Sequence, residues 1–503
     1  MEITNRIEKL TNAISYKIYE KEEIFKLAML ALLSDESIFL LGKPGIAKSL
    51  ISRRMKFALK KANIFEYLMN KFSTPEEIYG PIDIKGLQNG VYERIITGYL
   101  PTAEIGFLDE IWKAGPSIQN TLLTVINEKI FRNGGRDIKV PLHLLISASN
   151  ELPAEGEGLE ALFDRFIIRY VVEGLKDKEN FEQLINGDSP LDVSVDSNLQ
   201  ISAEELDDWR KKRQQVNLSR DVIDFIHYFR NKLQLATNGE AYISDRRWKK
   251  ISELIKTSAF FNGRMTADIP DIFIIPHCIW NNEMEYQDYT KLFEQAFLEK
   301  FGSEWRNQKQ TLLNKVEELA VQIDQVETQY LRLTPFMDPF RGKLQGTYYR
   351  IQIQNVPQEK QIALILASDW NKLVSVPDSS LKINIYFGAN LNRYSGAETF
   401  DAQFHKGDQI NLISINQKAV LTNENPVEYN KKIEQLNVQM ESLEKEVKEI
   451  SAKMYKAYKK YTSEDCIFFD HTYKEQIAKA FDISLNSSSR KVTSNSNINE
   501  EEF

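Results

Sequence analysis

The chain has 503 residues, 42% of them hydrophobic and 27% charged, and a net charge of −8 at pH 7. That length holds two to four domains of ordinary soluble composition, and the acidic balance argues against a nucleic-acid binder that works by broad phosphate neutralisation. No run reaches the eighteen or so apolar residues of a membrane span, no signal peptide is read, and Cys278 and Cys466 are too few for a disulfide framework, so a reducing cytoplasm is expected, without a zinc cluster.

In chain order, the first expected element is a helix over Lys21 to Leu33, preceded by Ile18 and Tyr19. The next segment, FLLGKPGIAKSL (Phe39 to Leu50), is an apolar strand, a Gly-rich turn and a helix start. Gly42 and Gly45 permit a tight turn, and successive N–H groups from Gly45 to Ser49, those of Ile46 and Ala47 among them, can converge on phosphate at a helix N-terminus. Lys48 is then placed for the β- and γ-phosphates, the Ser49 hydroxyl for Mg²⁺, and Leu50 for the nucleotide beside them. Ala47 stands where G-x-x-x-x-G-K-[ST] asks for Gly, a small cost if that residue is helical. The same residues also suit a plain turn that carries a Lys.

Ile82 to Pro101, with IKGLQNGVYERIITGYLP, alternates between glycines and predicts a β-hairpin. EIGFLDE (Glu104 to Glu110) is a second apolar strand ending in two acids. Asp109 suits the Mg²⁺ hydration shell opposite Ser49, and Glu110 suits the proton of an attacking water, although acids there also cap helices. Lys129 to Val140 predicts a second hairpin, turning at Asn133-Gly134-Gly135. Its Lys129, Arg132, Arg136 and Lys139 could touch nucleic acid or simply keep the hairpin solvated. A third strand, Leu142 to Asn150 (LHLLISASN), brings Asn150 to its end, for a water or the γ-phosphate, or as a turn residue. Three such strand ends at one edge of a parallel sheet place a ligand there.

Val171 to Ser219 is polar and loop-rich, with a helix near Ala203 to Gln214, and amphipathic helices follow at Asp221 to Leu233 and Asp245 to Phe260. Two heptad seams come next: Leu312, Val316, Leu319, Ile323, Val326, Tyr330 and Leu333; then Ile433, Leu436, Met440, Leu443, Val447, Ile450 and Met454. They predict an antiparallel pair, and a short helix at Tyr473 to Ile483 would make a three-helix bundle. Between the seams, about Pro335 to Pro426, segments such as TYYRIQIQ, QIALILA, LKINIYF and QINLISI predict a small antiparallel sandwich or barrel. It serves for docking or as a structural appendage. Ser484 to Phe503 reads as disordered.

The order GKPGIAKS, FLDE, SASN, LFDRF (Leu162 to Phe166) and SDRRW (Ser244 to Trp248), with STPEEIYGP, DEIWKAGPSIQNTLL and SNELP, resembles the AAA+ ATPases of the MoxR group, most closely the RavA subgroup. The resemblance implies ATP or ADP and Mg²⁺ as ligands and a catalytic set of Glu110, Asn150, Arg165 and Arg246. Arg165 would act in trans on a neighbour's nucleotide, with Arg169 as the other candidate; Arg246 would be the second sensor, with Arg247 beside it. Ile18 and Tyr19 would line the adenine pocket, or pack the core. The 82–101 segment would be an insert facing a ring pore or a partner. A homo-hexamer is implied, with a separate von Willebrand A partner and, through the β insert, an inducible lysine decarboxylase.

The expected architecture is thus an α/β P-loop NTPase (AAA+) core over 1–190 and a helical lid over 200–300. A discontinuous helical arm over 302–334 and 427–483 follows, interrupted by a β-rich insert over 335–426, with a tail over 484–503. The expected function is an ATP-hydrolysing chaperone or remodelling ring; a nucleotide-regulated scaffold and a nucleic-acid motor are the alternatives.

Overall fold

A computed structural model describes residues 2–154, 158–187, 192–331, 337–338, 342–343, 348–387, 396–407, 409–421, 426–463, 466–469 and 472–483. Leu333 of the first seam and the tail 484–503 lie outside them. The chain divides into two units, Met1–Glu304 with Met454–Phe503, and Trp305–Lys453.

The first unit is built on five parallel strands, β1 (Ser37–Leu41), β2 (Ile64–Leu68), β3 (Ile105–Asp109), β4 (Leu144–Ser149) and β5 (Phe166–Val171), in the order β2-β3-β4-β1-β5. Every residue of β1 and β4 is buried, as the apolar runs SIFLL and LLISAS require of strands covered on both faces. The register sets Leu41 beside Ser149 and Asp109 beside Ala148, so β1, β3 and β4 end level. β2 and β5 lie outside the three strands expected from the sequence. Around the sheet run α1 (Ile3–Ser15), α2 (Glu22–Ser34), α3 (Lys48–Met55), α4 (Pro116–Glu128) and α5 (Lys178–Asn186). α2 is buried at every position from Leu27 to Ser34, so it is a core helix rather than a surface one.

The hairpin at Lys129 to Val140 forms, with strands Ile130–Asn133 and Arg136–Lys139 and a turn in which Gly134 and Gly135 both have positive φ. Its Lys129 is not solvated: the ammonium is buried close to Glu36, and burial lowers its pKa. The hairpin expected at Ile82 to Pro101 does not form. A short helix, Ile84–Gln88, starts on the Asp83 side chain, which accepts the Lys85 N–H at 3.0 Å, and only an isolated bridge joins Ile82 to Arg94. Asn133 of the neighbouring hairpin satisfies the Arg94 backbone at both groups, 2.7 and 3.0 Å, so the alternation serves side-chain bonding instead of strand pairing.

Four further helices follow, α6 (Ala203–Arg213), α7 (Arg220–Ala236), α8 (Asp245–Phe261) and α9 (Glu283–Phe297). Phe225 and Phe229, one turn apart on α7, pack on Phe293 of α9 at 5.3 and 5.5 Å between ring centroids.

Two long helices, α10 (Ser303–Leu331) and α12 (Pro426–Thr462), carry the heptad seams. Leu312 to Val326 and Ile433 to Ile450 are buried or half-buried at the seam positions, and the residues between them are exposed. Between these helices in the chain, the second unit holds a closed antiparallel barrel of β6 (Tyr348–Ile353), β7 (Ile362–Leu366), β8 (Ser380–Phe387), β9 (Gly396–Lys406), β10 (Gln409–Leu412) and β11 (Gln417–Leu421). Pairing of β6 with β11 closes it, and α11 (Ala367–Ser375) adds Trp370 and Leu373 to its core. Val326 and Ile433, one from each seam, also pack against that core.

The last helix, α13 (Thr472–Ala480), packs in the first unit at the foot of the two long helices, where the Phe481 ring just beyond it stacks 6.2 Å from Tyr461 of α12. Its Tyr473 ring lies 5.6 Å from Phe273, and Gln476 donates to Glu294 at 2.8 Å. Gly302 makes the approach possible, since a Cβ there would come within 1.9 Å of the Ala480 carbonyl oxygen.

Candidate functional site

At the level carboxyl ends of β1, β3 and β4 the chain gathers a cation, a hydroxyl, two acids and an amide. β1 stops at Leu41, the chain turns through Gly42 to Ala47, and α3 opens with Lys48 and Ser49. A Cβ on Gly42 would meet the Val172 carbonyl oxygen at 2.6 Å, so only glycine fits. Gly45 has φ +79°. Ala47 has φ 71° and precedes α3, so the condition under which the missing glycine costs little is not met. The left-handed conformation costs a non-glycine residue about 1–2 kcal/mol.

The Lys48 ammonium donates to Asn150 Oδ1 at 2.8 Å, to the Ser149 carbonyl at 3.2 Å and to the Gly42 carbonyl, joining the ends of β1 and β4. Burial lowers its pKa, with the charges of Asp109 and Glu110 opposing. Burial raises the Asp109 pKa, against its hydrogen bond from the Glu110 N–H and the charge of Lys48. Glu110 is buried in the left-handed region at φ 53°, a strained position for its type. Its Oε2 takes both Lys113 Nζ, at 3.1 Å, and Ser149 Oγ, at 3.5 Å.

These groups fit a magnesium nucleotide. Ser49 and Asp109 supply hard oxygen donors, and among the described residues no set of three or more His, Cys, Asp or Glu could hold a metal by itself. Such an arrangement suits Mg²⁺, which shares its shell between one or two protein oxygens, phosphate and water.

Beside the phosphate loop lies a cavity of about 260 Å³. Ile18, Tyr19 and Lys21 form one wall, Gly45, Ile46, Ala47 and Leu50 the floor, and Glu173, Leu175, Phe181 and Leu184 the other wall. Tyr19 and four of the loop candidates therefore meet here. The wall contributed by α5 was missed, because Val171 to Ser219 reads as polar loop. Its signal is the Asp177 cap, which accepts the Asn180 N–H at 3.0 Å, followed by Phe181, Leu184 and Ile185 at helical spacing.

The four arginines lie apart from this cavity. Arg169 is on β5, paired in register with Phe39, and not one helical turn beyond Arg165. It is buried, stacks 3.6 Å from the centre of the Phe163 ring, and donates to the carbonyls of Phe163, Phe166 and Trp280 and to Asn281 Oδ1. Arg247 is also buried and bonds the carbonyls of Cys278, Asp164, Phe166 and Ile167. Both guanidinium groups are taken up by groups inside the protein. Arg165 is half-buried, donating to the Ala161 carbonyl at 2.6 Å, and Arg246 pairs with Asp164 at 2.5 Å.

A family model described as the MoxR domain in the MoxR-vWA-beta-propeller ternary systems matches residues 5–211, and one described as an AAA lid domain matches residues 221–293. Two uncharacterised proteins of Methanocaldococcus jannaschii, MJ0079 and MJ0812, are 40% and 38% identical to the chain over 282 and 317 residues. Those matches cover 56% and 62% of this chain and 72% and 82% of the relatives. The crystal structure of a candidate ATPase from Cytophaga hutchinsonii is similar with a TM-score of 0.47 and 20% identity, over 58% of this chain and 94% of that one.

Proposed function

The chain belongs to the MoxR group of AAA+ ATPases, and we propose that it hydrolyses ATP to do conformational work on a protein partner. The observation that carries this reading is the meeting of Lys48, Asp109, Glu110 and Asn150 at one sheet edge, with the head of α3 beside them.

Lys48 exchanges Asn150 and the Gly42 carbonyl for phosphate oxygens, and the N–H groups leading into α3 bind the phosphates. Asn150, released from Lys48, orients the attacking water, and Glu110 takes its proton through Oε1, the oxygen that Lys113 and Ser149 leave free. Ser49 and Asp109 would hold Mg²⁺, which when bound would neutralise charge on the phosphates. Arg246 leaves Asp164 for the γ-phosphate and reports hydrolysis. Arg165 acts on the neighbouring subunit's nucleotide, an effect worth roughly 10³ to 10⁵ in rate. A residue acting in trans requires a neighbouring subunit, and the family resemblance implies that the subunits form a hexameric ring. The name of the matching family model supports a partner with a von Willebrand A domain. A barrel carried between two long seam-bearing helices supports RavA-like organisation. In that arrangement the two helices form an arm and the barrel docks a protein such as an inducible lysine decarboxylase.

Phosphate release by the wild type and by Glu110→Gln tests the reading. Loss of a general base lowers the rate about 10²-fold or more, while ATP binding persists. Equal, near-zero rates would replace the motor with a nucleotide-regulated scaffold.

A further inference from the structure

The cavity beside the phosphate loop has two walls from distant parts of the chain, and one carboxylate fastens them together. Glu20 sits between Tyr19 and Lys21 of the inner wall. Its Oε2 accepts the N–H of Lys176 at 2.8 Å, and its Oε1 accepts the N–H of Asp177 at 2.9 Å and the side-chain amide of Asn180 at 3.1 Å. These donors belong to the first turn of α5 and the two residues before it, where helix N–H groups have no partner in the helix and a negative charge is favoured. Asp177 caps the same turn from within. Glu20 thus does for α5 what a local cap does, but from the opposite wall.

The backbone is held to this task. Glu20 has φ 56° and Lys17 φ 58°, and each left-handed non-glycine residue costs about 1–2 kcal/mol. Such strain persists where the surroundings fix it. Phe181 and Leu184, three apart on α5, share the face that lines the cavity. Glu20, Tyr19, Phe181 and Leu184 lie outside the phosphate loop and α3, so the walls that would hold the base, unlike the floor, rest on other parts of the chain than the grip on the phosphates.

We propose that Glu20 is the positioning residue of the base pocket: it clamps α5 to the segment carrying Ile18 and Tyr19, so that the base of a nucleoside triphosphate is held between Tyr19 and Phe181. This rests on the nucleotide reading of the site. Loosening the clamp parts the walls and weakens contacts to the base, while Lys48, Ser49 and the N–H groups of the loop still hold phosphate.

The test is calorimetric titration of the full chain with Mg·ATP and, separately, with magnesium tripolyphosphate, which has phosphates and no base. Glu20→Ala is expected to weaken ATP binding about tenfold and to leave tripolyphosphate within twofold. Glu20→Gln, which keeps one acceptor oxygen, falls between; Phe181→Ala, which leaves the clamp intact, shows the same split between the two ligands. Unchanged ATP affinity in Glu20→Ala and Glu20→Gln, or equal weakening of both ligands, would overturn the clamp. If wild-type protein binds neither ligand, the nucleotide reading itself falls; if Lys48→Ala alone weakens both, that reading stands whatever the clamp does.

Discussion

Four arginines in two short motifs are alike as residues, and burial gives them two fates. Arg169 and Arg247 spend their guanidinium groups on backbone carbonyls inside the protein, so truncation leaves several acceptors unpaired at about 1–3 kcal/mol each. Arg165 and Arg246 are partly exposed and hold one partner each. Arg169→Ala and Arg247→Ala should therefore lower Tm by several degrees, whereas Arg165→Ala should keep Tm and lose phosphate release. Thermal melts beside rate assays check this, and a large fall in Tm for Arg165→Ala alone would contradict it. Sequence could not sort them: a DRF followed by an Arg four residues on looks helical, yet β5 begins at Phe166 and is buried without a break through Arg169. Ala47 was equally opaque, because the chain shows the missing glycine but not the left-handed backbone that makes its absence costly.

Between elements, a half-buried ion cluster ties α6 to the edge of the sheet opposite the nucleotide site. Asp35, in the left-handed cap of α2, accepts hydrogen bonds from Arg210 at 2.6 Å and Arg213 at 3.0 Å and pairs with His143 Nδ1 at 2.9 Å. Burial alone would raise its pKa, but the hydrogen bonds from His143 and Arg210 and the charge of Arg213 hold it well below the usual carboxylate range. A depressed folded pKa means that the stabilisation is complete above the unfolded value of about 3.9 and is lost as pH falls through the folded one. Asp35→Asn should cost roughly 3 kcal/mol at pH 7, and its deficit should narrow as the pH drops below about 4. Melts across that range check it; a deficit independent of pH would show that packing, not charge, is lost. The elements themselves were largely legible, because strands β1, β3 and β4, both seams and the Asn-Gly-Gly hairpin carry clean periodicity or turn chemistry. The 82–101 segment misled because Asp83 and Asn133 satisfy its backbone through side chains, a long-range arrangement that alternation cannot report.

At the scale of the whole molecule, the order of motifs gave the ATPase core and the change from heptads to alternation gave the inserted β domain. Barrel closure depends on the pairing of β6 with β11 across about seventy residues, and α13 meets Phe273 from about two hundred residues away. Both depend on partners distant in sequence, which local pattern does not encode. The proposed mechanism also calls for more than one chain, because in it Glu110 serves its own nucleotide and Arg165 the neighbour's. Glu110→Gln and Arg165→Ala should each be inactive alone. Mixed in equal amounts and allowed to exchange subunits, they should recover part of the wild-type rate of phosphate release, since an intact Glu110 then faces an intact Arg165 across a boundary. A mixture as inactive as its components, beside an active wild type, would contradict hydrolysis at a site shared between subunits.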